Sequence, residues 1–195
     1  LQTTDGGATY AVVFDKYPNA QFLGLTATPQ RGDGRPLAEW SELVVMAQVS
    51  ELIEGGYLVP CEIIAPSGPL KVGEIAQRPV DAYRQYTPNE SAIVFSPNLK
   101  EAEKHAQEFR DAGIQAVMVE GKTGSGDRKA ALEAFRAGVL PVLVNVGVLT
   151  EGTDLPIASS IILARGCGTE GLFLQITGRG LRPSPSRCCS CSPPV

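Results

Sequence analysis

The 195-residue sequence holds one histidine, one tryptophan and two methionines, and aromatic residues make up only 6% of it. A basic excess is missing too: 17 Lys and Arg stand against 21 Asp and Glu, a formal charge of −4. That balance argues against broad electrostatic capture of nucleic acid. It leaves room for a local phosphate site built from backbone N–H groups and a few arginines. No apolar run reaches the ~18 residues of a membrane-spanning helix. No basic start leads into an apolar stretch, so no secretory signal is visible, and a cytoplasmic location is expected. Of five cysteines (Cys61, Cys167, Cys188, Cys189 and Cys191), three crowd into the last eight residues. A secreted scaffold would spread them along the chain, so a disulfide framework is a poor fit. The Cys-Cys-Ser-Cys run lacks a fourth ligand, and no metal site is expected there.

What is present is ordinary globular composition, 43% hydrophobic and 19% charged, enough to bury a core. The chain opens on Leu1 rather than Met, and the simplest expectation is a chain that begins inside a longer reading frame. Residues 9–16 are expected to be helical. Gln21–Leu25, a short apolar run ahead of Thr26-Ala-Thr-Pro29, is expected to be a buried strand. The later part of Glu42–Glu54 has apolar spacings of three and four and ends at Gly55-Gly56, as a helix would. Pro60, Pro66, Pro69, Pro79 and Pro88 punctuate residues 60–90, the best linker candidate.

From residue 91 the pattern becomes regular. Strands are expected at Ala92–Phe95, Gln115–Val119, Pro141–Val146 and Ser160–Ala164. Helices are expected from Asn98, an N-cap with Glu101 as its capping-box partner, to Ala112; over Asp127–Ala137; and over Leu172–Thr177. Alternating strands and helices with short connections imply a parallel sheet covered on both faces. Ligands then bind beyond the C-terminal strand ends, which singles out the loops after Leu25, Phe95, Val119 and Val146. Gly121-Lys-Thr123 is a decoy, because a phosphate-binding loop needs a glycine where Ala116 stands. His105 is expected on a solvated helix face and Trp40 in a core.

Three segments carry chemistry: Thr26-Ala-Thr-Pro29, Glu151-Gly-Thr-Asp-Leu-Pro156 and Gln175-Ile-Thr-Gly-Arg-Gly-Leu-Arg182. Arg179 and Arg182 are three apart and would share one face of a helical turn, a pair suited to a phosphate chain or simply to solvent. Asp154 can accept from a ribose hydroxyl or hold its loop by an Asx turn. Thr26 and Thr28 can contact phosphate or brace the turn.

In this order the segments resemble the later motifs of superfamily 2 helicases. Thr26–Pro29 looks like motif III, Val94-Phe-Ser96 like motif IV, Val142–Pro156 like motif V and Gln175–Arg182 like motif VI. Leu52–Pro60 resembles the junction leaving the first motor domain in the DEAD/DEAH-box group related to restriction-enzyme translocating subunits. The resemblance covers roughly residues 8–185.

It implies an α/β fold of RecA-like parallel sheets covered by helices. Residues 1–60 would be the C-terminal part of the first motor domain and 61–90 the linker. Residues 91–183 would be a truncated second domain, and 184–195 an unstructured tail. It implies ATP and Mg2+ as cofactors, and nucleic acid as partner, DNA before RNA, with no membrane. It also implies a missing N-terminal part of the same motor, since neither a Walker A nor a D-E-x-H motif occurs and most ligands of ATP and Mg2+ would lie there. On the resemblance, Arg179 and Arg182 would be arginine fingers positioned by Gln175. Gly152, Asp154, Thr26 and Thr28 would serve ATP, and Ser96, Gly121 and Thr150 nucleic acid. The fragment alone would hydrolyse almost no ATP. Val146-Gly147 stands where many relatives have Thr-Asp. The rival is a non-catalytic RecA-like module that binds nucleic acid or regulates.

Overall fold

The structure is a computed structural model. It describes residues 7–26, 29, 40–65, 75–147 and 158–183. The expected tail at 184–195 lies outside them, as do Thr28, Thr150, Gly152 and Asp154.

Among the described residues, four strands form one parallel sheet: β1 (Ala92–Phe95), β2 (Ala116–Val119), β3 (Val142–Asn145) and β4 (Ser160–Leu163), in the order β2-β3-β1-β4. Ala92 lies opposite Val142 on one side and Ser160 on the other, and Ala116 also lies opposite Val142. The central strands β1 and β3 are buried at every position, which is why each reads as an unbroken apolar run.

Six helices accompany the strands: α1 (Gly7–Lys16), α2 (Val49–Glu54), α3 (Pro79–Tyr86), α4 (Leu99–Asp111), α5 (Ser125–Arg136) and α6 (Glu170–Thr177). Successive strand residues face opposite ways, so the sheet has two cores. Ala92, Val94, Val142 and Val144 pack against Val80 and Tyr83 of α3 and Ala102, Ala106 and Phe109 of α4. Ile93, Phe95, Val119 and Leu143 pack against Phe135 of α5 and Ile176 of α6. Each fully buried phenylalanine contributes about 1.5–3 kcal/mol, so Phe95, Phe109 and Phe135 are the main anchors of the two layers.

Local signals set the helix ends. Asn98 caps α4 by accepting from the Glu101 amide at 2.9 Å. Gly113 and Gly138, just past α4 and α5, take φ values of +79° and +71°, the left-handed conformation glycine adopts without strain. Arg84 of α3 donates to Ala112 O at 2.8 Å, satisfying a carbonyl at the end of α4.

Several expectations need correction. Residues 79–86, placed in the linker, form α3, whose Val80 and Tyr83 are buried in the core; Tyr83 also donates to Glu90 O at 2.8 Å. Helix α5 starts at Ser125, ahead of the expected Asp127. Gln21–Leu25 is not a strand: Leu23 and Leu25 are 86% and 88% exposed. A strand needs a neighbour for its N–H and C=O groups, and no described strand pairs with this run. Trp40 is half-buried rather than fully enclosed. It makes an edge-to-face contact with Phe14, which meets Phe22 in the same way. His105 is buried, not solvated.

Candidate functional site

All four strands run the same way, so the loops that follow them gather at one edge of the sheet. Ser96 follows β1 there. Its amide donates to Asn145 O at 2.9 Å, tying the ends of β1 and β3 together. Its side chain is buried, and Ser96 Oγ and His105 Nδ1 share a hydrogen bond of 2.9 Å. The other face of the imidazole has Glu101 Oε2 at 4.0 Å from Nε2. Burial pushes the His105 pKa below 6.5, against the opposing pull of Glu108 and Glu101. The ring is therefore neutral at pH 7, as its bond to a hydroxyl suits. Ser96 thus brings this edge a braced backbone, with its hydroxyl turned inward.

The loop after β2 carries Gly121, exposed to solvent. The Glu120 amide donates to Thr123 Oγ1 at 2.9 Å, and the Thr123 amide donates back to Glu120 O at 3.1 Å. Arg128, one turn into α5, donates from Nη2 to the carbonyls of Glu120 (3.0 Å), Gly121 (3.1 Å) and Thr123 (3.3 Å). The loop is therefore a closed turn clamped by a guanidinium. Arg128 was not among the residues singled out by sequence; its only signal was a lone Arg on the first turn of a helix after a glycine-rich loop.

The motif VI residues sit elsewhere. Gln175 is half-buried on α6, beside the fully buried Ile176. The helix ends at Thr177, so Arg179 and Arg182 are not on one helical face as their spacing suggested. Glycines at 178 and 180 weaken helix continuation. Residues 178–180 instead form a turn whose amides return to Leu174 O, Ile176 O and Thr177 O. Arg179 is 7% exposed and Arg182 half-buried. Gly180 lies so close to β4 that a Cβ there would be 3.1 Å from Ile161 Cγ1. Ile161 is the second residue of β4, so the arginine turn packs beside that strand. Thr26 is exposed at the end of the 21–26 stretch.

The predicted residues thus fall into two groups: Ser96 and Gly121 at the strand ends, and Gln175, Arg179 and Arg182 at the turn after α6. Among the described residues, no group of three or more His, Cys, Asp or Glu side chains could hold a metal ion. None of the described helices is long and apolar enough to cross a membrane.

A parallel sheet covered by helices on both faces is the α/β arrangement of the RecA-like class. The model of the helicase conserved C-terminal domain matches residues 76–184, more than half of the chain. The chain belongs to that family. It is similar to a 51.5 kDa protein of a Lactococcus phage (29% identity, covering 90% of this chain and 43% of the relative). It is also similar to the putative mitochondrial ATP-dependent helicase irc3 of Schizosaccharomyces pombe (32% identity, 82% of this chain and 30% of the relative). A third relative is the putative DNA 3'-5' helicase Rad25 of Halobacterium salinarum (30% identity, 83% of this chain and 30% of the relative). Among solved structures, the Escherichia coli DEAD-box protein SrmB is similar at 25% identity and a TM-score of 0.48, over 55% of this chain and 61% of that one. The chain spans less than half the length of these curated relatives.

Proposed function

We propose that this chain is part of an ATP-dependent nucleic-acid motor and supplies the arginine side of its ATP site. The observation that carries this is the turn after α6. Arg179 and Arg182 are held on a glycine-flanked turn against β4, in a domain whose family model spans residues 76–184. Two guanidiniums on such a turn fit the terminal phosphates of ATP by charge and by donor geometry. On the family resemblance, Mg2+ would be held mostly by the other half of the motor.

Bound there, ATP would supply phosphoryl transfer to water as the energy source. This chain's own part is electrostatic: Arg179 and Arg182 offset charge on the terminal phosphate, a role worth about 10³–10⁵ in rate for an arginine finger. Gln175, one turn earlier on α6, would orient the turn. Gly152, Asp154, Thr26 and Thr28 remain the proposed contacts to the rest of the nucleotide. Gly121 and Thr150, with the Ser96 backbone, are the proposed contacts to a nucleic-acid strand. DNA is the favoured strand, an inference that draws on the DNA helicase named among the relatives.

The exposed run Gln21–Leu25 and the apolar residues Leu43–Met46, at 60–88% exposure, support the need for a second half. Large apolar side chains so exposed are the usual mark of a surface that another piece covers. In the complete motor, residues 1–60 would join the first ATPase domain.

Two measurements test the proposal. The 195-residue chain alone should show no metal-dependent ATP turnover above background, with or without single-stranded DNA. In a complete motor carrying this sequence, Arg179→Lys should lower kcat by about 10³ or more with little change in KM. Robust turnover by the isolated chain, or unchanged kcat in the variant, would refute it.

A further inference from the structure

In the junction ahead of the sheet, the Val59 amide donates to Leu181 O at 2.8 Å, across more than a hundred residues of sequence. Val59 is 4% exposed, whereas Tyr57 on one side and residues 60–65 on the other are exposed. Local chemistry presents this amide outward. Helix α2 ends at Glu54 with Gly55 as its cap, Gly56 takes a φ of +75°, and the amides of Tyr57 and Leu58 both return to Leu52 O. Those bonds close the turn one residue before Val59. Pro60 then restricts Val59 to extended backbone, so its N–H must find a carbonyl outside the turn.

The carbonyl it finds belongs to the arginine turn. That turn is held at residues 178–180 by the end of α6, and at Gly180 by Ile161. Both restraints act before Leu181. The Leu181 carbonyl and the Arg182 nitrogen share one planar peptide unit. A bond to that carbonyl therefore fixes the plane from which the Arg182 side chain departs.

We infer that Val59 is a positioning residue for Arg182, so that the segment leaving α2 and the arginine turn move as one unit. The inference rests on the proposed role of Arg182 at the terminal phosphate. In that setting, a displacement of the junction as the motor halves open or close shifts the Leu181 carbonyl and the arginine with it.

The test uses the 195-residue chain labelled uniformly with 15N, the Arg182 Nε–Hε resonance being assigned through Arg182→Lys. In the unmodified chain, the Val59 amide should exchange with solvent at least tenfold more slowly than that of Glu62 in the exposed stretch beyond. Equal rates would overturn the inference, whatever the variants do. Val59→Ala keeps the donor and loses apolar burial; it should lower the melting temperature and leave the Arg182 resonance in place. Val59→Pro removes the donor; it should move the Arg182 resonance toward that of a free arginine. A Val59→Pro resonance that stays in place, or a Val59→Ala resonance displaced as far, would show packing alone and overturn the inference. If Val59→Pro fails to fold, the exchange comparison in the unmodified chain decides. No nucleotide enters this experiment, so its failure is separate from that of the ATP-site proposal, which turnover in the complete motor tests.

Discussion

Replacing Arg128 by methionine should loosen the loop after β2 and measurably destabilise the domain. Methionine keeps the apolar stem of the side chain and removes every donor. One nitrogen, Nη2, reaches three carbonyls at 3.0, 3.1 and 3.3 Å. It has two protons, so the set amounts to two good bonds with the longest contact shared. Hydrogen bonds from a charged donor are worth about 1.5–3 kcal/mol net, and the partial exposure of this loop puts them at the low end, about 3 kcal/mol together. Against that, Arg128 Nε is buried without a partner. Removing it recovers about 1 kcal/mol of desolvation cost. The expected net loss is about 2 kcal/mol, a fall of roughly 5–10 °C in melting temperature for a domain of this size. Urea unfolding should show a lower midpoint with an unchanged slope. Amide exchange should accelerate at Gly121–Gly124 before it does in β1 and β3. A midpoint within about 0.5 kcal/mol of the parent, with unaltered exchange in the loop, would refute the clamp.

Stability should fall with acid through His105, whose pKa is pushed below 6.5 by burial. The unfolded chain then takes up the proton first, so stability is full above about pH 6.5 and declines as pH drops through that value toward the folded pKa. Denaturant titrations at pH 8, 7, 6 and 5.5 check the sign, and a His105→Gln chain should lose this part of the slope. Phe135→Ala, which empties a fully buried site between α5 and the sheet, should cost about 3–5 kcal/mol. That is a large share of the 5–15 kcal/mol typical of a domain, and circular dichroism melts would show it. Gly24→Ala would place a Cβ 2.6 Å from the Trp40 ring. It should displace the chain's only tryptophan, read as a red shift in its emission.

Most of the sheet and its helices was legible in the sequence, because their signals are local. Ala92–Phe95 read as a strand from its β-branched and aromatic residues and Pro141–Val146 from an unbroken apolar run suited to burial, and the structure places β1 and β3 there. Asn98, Gly113 and Gly138 marked helix ends by capping and left-handed backbone. Apart from the local start of α5, the larger misreadings share a cause, since they turned on partners distant in the chain. Gln21–Leu25 has the composition of a strand, yet composition supplies no neighbouring strand. Residues 79–86 looked like linker because Pro79 and the prolines around them are visible, while the sheet face that buries Val80 and Tyr83 is not.

The candidate site divides along the same line. The residue types and spacing of Gln175–Arg182 were enough, with the other motifs, to point to a helicase-like motor, and the family match over 76–184 agrees. Spacing alone put Arg179 and Arg182 on a shared helical face, but the helix stops at Thr177 and the close approach of Gly180 to Ile161 sets the turn. Ser96 was legible as a strand-end residue; its commitment to His105 was not, because the bond joins a strand end to the next helix through burial. The sequence by itself determined the four strands of the sheet, the helices after β1 and β2 and the chemical identity of the arginine segment, since periodicity, caps and residue types act within a few positions. Tertiary structure alone decided which polar groups turn inward and what holds Leu181, because such bonds exist only once the fold has brought their partners together.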